Sequence, residues 1–156
     1  MKVLAIDPGY GRCGVAVVEK TNGRDRLVHS DCIETSAKDD FPERLAAVTD
    51  ACVRLIETYG PNALAMERLF FQKNQKTAMR VAEVRGALLN VAAQANLPVF
   101  EYTPGQIKSA AAGFGSADKR AVAKMLHALL SIEKRGMLDD EYDAIAVGVT
   151  CLAYER

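Results

Sequence analysis

The sequence predicts an α/β domain with a mixed five-stranded sheet and helices on both faces. Three observations predict it. Residues 1–35 hold three strand-like runs separated by turn-sized gaps, the mark of an antiparallel meander. Two later apolar runs, at 63–66 and 97–101, each follow a helical segment, as parallel strands do. The helical segments carry their own start and stop signals, so the order reads βββ-α-β-α-β-α-α-α.

Val3 to Asp7 is a short apolar strand stopped by Pro8-Gly9. Cys13 to Glu19 returns after Tyr10-Gly11-Arg12, and Arg26 to Thr35 follows the turn at Asn22-Gly23. Asp40 caps a helix with Pro42 in its first turn, and Leu45, Val48, Cys52, Leu55 and Tyr59 recur at helical spacing. Gly60-Pro61 ends it. Ala63 to Met66 is continuously apolar, as a buried parallel strand is, and ends on Glu67. A long helix from about Asn74 to Asn96 carries Val81, Val84, Leu88 and Val91 on one stripe. Leu97 to Glu101 is the fifth strand. Thr103-Pro104 opens a helix, and Ser116 opens another with Val122, Met125, Leu126 and Leu129 as its apolar positions. The last helix runs from about Asp139 to Ala153, with Ala144, Gly148 and Cys151 small enough to pack closely on the sheet.

The 156 residues, 49% hydrophobic and 26% charged, suit one globular domain over 1–156 and exclude wholesale disorder. No run approaches a membrane span, and the N-terminal apolar run is too short for a signal peptide. Cys13, Cys32, Cys52 and Cys151 form no CxxC pair, so neither a disulfide framework nor a zinc site is expected, and the chain reads as cytoplasmic. Its 20 basic and 20 acidic side chains cancel, but not evenly along the chain. Residues 68–135 hold 11 basic against 4 acidic groups, while the segments on either side are acidic. A basic middle with acidic flanks asks for a polyanionic partner.

Four carboxylates stand where burial-friendly segments end. Asp7 and Glu67 terminate two strands that, if parallel and adjacent, present both groups at one end of the sheet. Asp140 and Asp143, three apart, share a face of the last helix. Clustered carboxylates repel unless a cation neutralises them, and an all-oxygen set selects Mg²⁺ or Mn²⁺. Two such ions form a site for phosphodiester hydrolysis. Arg68, Lys73, Lys76, Arg80 and Arg85 follow Glu67 directly, interleaved with Phe70 and Phe71, and are placed to hold phosphates. Lys119, Arg120 and Lys124 occupy the first turns of the Ser116 helix, whose free N–H groups favour anions. Lys134 and Arg135 read as solubilising charges, and His29 and His127 as structural.

The segments Val-Leu-Ala-Ile-Asp-Pro-Gly at 3–9, Ala-Met-Glu-Arg-Leu-Phe at 65–70 and Asp-Glu-Tyr-Asp-Ala at 140–144 resemble the acidic motifs of the RuvC family of bacterial Holliday-junction resolvases. Arg85-Gly86, Pro98 to Tyr102 and Gly113 to Lys119 extend the likeness over nearly the whole chain. The resemblance implies a ribonuclease H-like fold, a homodimer, and Mg²⁺-dependent paired nicking of four-way DNA junctions in recombination and repair. It implies two ions per site, with Mn²⁺ able to substitute, and RuvA and RuvB as partners. By position it makes Asp7, Glu67, Asp140 and Asp143 the catalytic carboxylates and metal ligands. It makes Phe70 the aromatic near the junction centre, and Lys108 and Lys119 the basic residues facing DNA. Lys73, Lys76, Arg80 and Arg120 complete the expected DNA-binding set. The last motif, Asp139-Asp-Glu-Tyr-Asp143, is more crowded than the family pattern, leaving Asp139 and Glu141 as alternative ligands.

Three rival readings remain at this level: a related nuclease acting on RNA or an RNA–DNA hybrid, a non-catalytic junction-binding module, and an actin-like ATPase. The last draws on Asp7-Pro-Gly9 with Gly11 and Gly14, but that fold needs far more chain. A strip of the long helix around Val81–Leu89 is a candidate dimer surface.

Overall fold

The computed structural model describes residues 1–69, 75–113 and 115–155. Its elements follow the expected order: β1 (Lys2–Asp7), β2 (Arg12–Thr21), β3 (Arg24–Glu34), α1 (Phe41–Tyr59), β4 (Ala63–Glu67), α2 (Gln75–Gln94), β5 (Val99–Tyr102), α3 (Pro104–Ala112), α4 (Lys119–Leu130) and α5 (Asp139–Tyr154). The five strands make one sheet in the order β3-β2-β1-β4-β5. β1, β2 and β3 pair antiparallel, while β1, β4 and β5 run parallel. The three N-terminal strands are joined by short turns, and the parallel ones by helical crossovers.

Strand alternation sends successive side chains to opposite faces, and each face has its own core. Leu4, Ile6, Val15, Val17, Leu64 and Met66 pack with Val48, Cys52, Val84 and Leu88 of α1 and α2. Val3, Ala5, Ala16, Val18 and Ala65 pack with α3, α4 and α5. The second face is built from small residues because α5 lies very close to it. A Cβ placed on Gly148 of α5 would come within 2.6 Å of Val18 and 3.1 Å of Ala5. Ten residues of α5, from Glu141 to Leu152, are buried.

Local signals explain most boundaries. Gly60 takes the left-handed conformation that closes α1, and Glu43 Oε2 accepts the Asp40 N–H at 3.2 Å at its start. Thr103 and Gln106 cap α3 reciprocally. Three expectations need correction. β5 begins at Val99, not Leu97: Asn96 adopts a positive φ, and the Pro98 carbonyl accepts from the Leu64 N–H but Pro98 has no N–H of its own to give. α4 begins at Lys119 rather than Ser116, because Asp118 is its cap and accepts the Ala121 N–H at 2.8 Å. On α4 the buried stripe is Val122, Leu126 and Leu130, while Met125 and Leu129 are exposed. Among the described residues no helix is long and apolar enough to cross a membrane.

Candidate metal centre and nucleic-acid interface

Asp7 and Glu67 are the last residues of β1 and β4, and parity decides where they point. Val3 and Ala5 face α5, so Asp7, two residues on, does too; Ala65 does the same for Glu67. The parallel register Ala5↔Ala65 and Ile6↔Met66 sets the two strand ends side by side. Asp140 and Asp143 enter from the first two turns of α5 over the same end of the sheet.

The approach of α5 depends on a glycine. Gly14 pairs with Asp7 across β1 and β2, and a Cβ on Gly14 would lie 1.9 Å from the carbonyl oxygen of Asp140. Only hydrogen in that place lets the backbone of Asp140 pass so near Asp7.

The electrostatics are those of a gathered anionic cluster. Burial first, then the charges of Asp143, Glu67 and Asp140, push the Asp7 carboxyl from its ordinary 3.8 to about 7, against an opposing pull from Lys119. Burial and the charge of Asp143 raise Glu67, with Lys108 acting in the lowering direction. Burial also raises Asp143, outweighing Lys119. Lys119 Nζ donates to Asp143 Oδ2 at 3.2 Å and stands 3.5 Å from Asp139. Arg12 Nη1 lies 4.0 Å from Asp140 Oδ2. Among the described residues no three acidic, histidine or cysteine side chains are already closed around one point where an ion would sit. The donor set is nevertheless all oxygen and half-buried, and the nearby cations leave Asp7 raised, a setting that suits a hard divalent cation.

Two clefts meet at this cluster. One, of about 530 Å³, is lined by Glu67, Asp143, Asp139, Lys108, Lys119 and Arg120. The other, of about 330 Å³, is lined by Asp7, Pro8, Arg68, Thr77 and Arg85, and shares Glu67 and Pro104 with the first. Basic side chains therefore flank the carboxylates, as a phosphate backbone needs.

The expected residues fall into groups. Lys108, Lys119 and Arg120 line the cleft beside Glu67 and Asp143 and are exposed. Arg80 lies further out, donating to Glu83 at 2.9 Å with its guanidinium 4.0 Å over the Phe41 ring. Phe70, Phe71 and Lys73 lie outside the described residues, as does the side chain of Lys76.

Other expectations are corrected. Arg85 is not free for phosphate: only 11% exposed, it donates to the Glu67 carbonyl at 2.7 Å and pairs with Glu101, tying α2 to the ends of β4 and β5. Lys134 is not a mere solubilising charge, since its Nζ donates to Glu141 Oε2 at 2.6 Å. Glu141 is buried and turned into that contact, so it is no ligand. Burial alone would raise its carboxyl, but hydrogen bonds from Lys134, the Leu138 N–H and Ser30 outweigh this and hold it below the ordinary range. Asp139, 77% exposed at its side chain, lies outside the half-buried set.

The histidines are structural, as expected. His29 stacks on Tyr59, and His127 bonds the Ile132 carbonyl and the Tyr142 hydroxyl. Sequence reasoning assigns neither Arg12 nor Gly14 to the site. The available signal was the hairpin itself, which returns both residues beside the end of β1.

Residues 3–151 match the family model of the crossover junction endodeoxyribonuclease RuvC. The RuvC of Moorella thermoacetica is 46% identical over 149 residues, covering 96% of this chain and 89% of the relative. That of Petrotoga mobilis is 44% identical over 146 residues, covering 94% and 90%. The solved structure of T. thermophilus RuvC in complex with a Holliday junction substrate matches with a TM-score of 0.93 at 33% identity, covering 100% of this chain and 95% of that one. The yeast mitochondrial Holliday junction resolvase Ydc2 matches with a TM-score of 0.71 at 16% identity, a likeness of fold alone.

Proposed function

The chain belongs to the crossover junction endodeoxyribonuclease RuvC family, and we propose that Asp7, Glu67, Asp140 and Asp143 are its catalytic carboxylates. Its fold is the ribonuclease H-like fold of that family. It is a metal-dependent endonuclease that resolves Holliday junctions in DNA recombination and repair. The observation that carries the ligand set is the convergence of all four groups on one end of the sheet, where burial and then neighbouring charge push Asp7 to about 7.

The cofactor read from this set is Mg²⁺, two ions per site, with Mn²⁺ as substitute. Bound there, divalent cations supply charge neutralisation and an activated water at the scissile phosphate. The protein's residues do the rest. Asp7 and Glu67, fixed on strand ends, and Asp140 and Asp143, fixed on α5, are the groups that would hold the cations. Lys108 and Lys119 offset the charge of the phosphate in the adjoining cleft, and Arg120 extends that contact at the start of α4. Hydrolysis adds water to phosphorus and breaks its bond to the 3′ oxygen, leaving 5′-phosphate and 3′-hydroxyl ends that a ligase can seal.

Phe70, Lys73, Lys76 and Arg80 belong to the segment after Glu67 and complete the DNA-binding set, with Phe70 as the ring at the junction centre. Paired symmetric nicks need two such sites, so the working form is a homodimer. Met79, 68% exposed, and Leu89, 38% exposed, put apolar surface on α2, near the strip expected to form the dimer. The setting is the cytoplasm, with RuvA and RuvB as partners on the same junction.

The test is nicking of a synthetic four-way junction beside a linear duplex and an RNA–DNA hybrid. Paired, symmetric cuts confined to the junction are expected. Equal cutting of all three substrates contradicts the reading.

A further inference from the structure

We propose that Lys134, Glu141 and Ser30 form a clamp that sets the position of Asp140 and Asp143, making Lys134 and Glu141 positioning residues for the metal-binding carboxylates. The proposal rests on the ligand set given above. Of the four acids crowded into the start of α5, Glu141 alone turns inward, and it is 4% exposed. Its Oε2 accepts Lys134 Nζ at 2.6 Å and Ser30 Oγ at 3.0 Å, while its Oε1 accepts the Leu138 N–H at 3.3 Å. Lys134 Nζ also donates to the Ser30 carbonyl at 2.9 Å. One carboxylate is thus tied to Ser30 in the middle of β3, to Lys134 in the loop before α5, and to the N–H of Leu138, the residue that caps its own helix.

The geometry of a helix turns this tie into control of the neighbours. Successive residues are set about 100° apart around the axis, so holding Glu141 fixes the direction in which Asp140 and Asp143 leave the helix. Gly14 supplies the second point of restraint by fixing how near the Asp140 backbone approaches the sheet. A glycine floor sets height, and the Glu141 clamp sets rotation. Stability alone is a weak reason for such a pair, because the Lys134 side chain is 45% exposed and water screens its attraction to the buried Glu141 carboxylate. What a charged, multiply hydrogen-bonded group adds is a fixed direction. The crowded acidic motif then divides its labour: Asp143 lines the larger cleft, Asp140 stands beside Arg12, and Glu141 holds the helix that carries both.

The experiment is a calorimetric titration of Mn²⁺ into the full-length, DNA-free protein, made metal-free beforehand, alongside nicking assays at varied Mn²⁺. Wild type is compared with Lys134→Met, Lys134→Arg, Ser30→Ala and Asp143→Asn. Lys134→Met is expected to weaken Mn²⁺ binding roughly tenfold, to raise the Mn²⁺ needed for half-maximal nicking by a like factor, and to leave metal-free junction affinity within about twofold. Lys134→Arg recovers most of the loss. Should Lys134→Met fail to fold, Ser30→Ala, which removes one hydrogen bond, carries the test with a loss of about threefold. Wild-type Mn²⁺ affinity in the folded clamp variant, with Asp143→Asn deficient, overturns the clamp alone. Wild-type affinity in Asp143→Asn overturns the ligand set, and the clamp with it.

Discussion

The backbone of Asp140 runs directly against Gly14, close enough that a Cβ on Gly14 would lie 1.9 Å from the Asp140 carbonyl oxygen. Because Gly14 is also the ladder partner of Asp7, one glycine sets the distance between strand and helix carboxylates. Gly14→Ala must push α5 away from β1 and β2, at a stability cost of about 1–3 kcal/mol. Nicking is expected to fall more than tenfold at a fixed Mg²⁺ concentration, with junction binding retained, since the basic cleft walls stay in place. A Gly14→Ala protein that nicks at the wild-type rate removes this role.

Asp7 predicts a pH dependence. Its carboxyl is raised from 3.8 to about 7 in the folded protein, so the folded state binds the proton more tightly than the unfolded state does. Stability of the metal-free protein from this group is therefore present at low pH and is lost as pH rises through about 7. Asp7→Asn is expected to raise the Tm of metal-free protein at pH 8, by on the order of 2 kcal/mol in stability, and to change it little near pH 4. Thermal melts across that range, with and without Mg²⁺, check it; Mg²⁺ stabilises the wild type most at high pH. A Tm difference independent of pH contradicts the assignment.

Lys119 touches Asp143 and lines the cleft, and the proposed function gives it both a carboxylate and a phosphate to hold. Lys119→Met removes the cation that holds Asp143 down, and the nicking profile is expected to shift to higher pH. The slope of log junction affinity against log salt should fall by about 1, the loss of one phosphate contact. Unchanged profile and slope refute both roles.

Arg85 is expected to act on the fold. Its guanidinium holds the Glu67 carbonyl and the Glu101 carboxylate together while only 11% exposed. Arg85→Met leaves both acceptors without their donor and is expected to cost about 1–3 kcal/mol. Urea melts give the number. The salt slope of junction binding should stay at the wild-type value, because the Arg85 guanidinium is already engaged by the Glu67 carbonyl and the Glu101 carboxylate.

Much of this was legible in the residues, for identifiable reasons. Strand alternation and the two acids that end apolar runs were enough to bring Asp7 and Glu67 to one end of the sheet. Gly60, Asp40 and Thr103 marked helix ends through local chemistry that needs no tertiary context. What stayed hidden depends on contacts distant in sequence. Arg85 and Lys134 look like other surface cations until the fold supplies Glu101 and Glu141 as partners. Met125 and Leu129 match a helical stripe as well as Leu126 and Leu130 do, and the seat of α4 on α3 and α5 decides which side is covered. Gly14 carries no sequence signal for the backbone that passes over it.

The carboxylate centre is tested most directly by measuring junction binding and junction nicking on the same Asp7→Asn preparation in saturating Mg²⁺. Binding within about twofold of wild type with nicking reduced at least about a hundredfold is expected, because the substitution removes the negative charge of the proposed ligand and leaves the basic cleft intact. Nicking at the wild-type rate would contradict the centre built on Asp7.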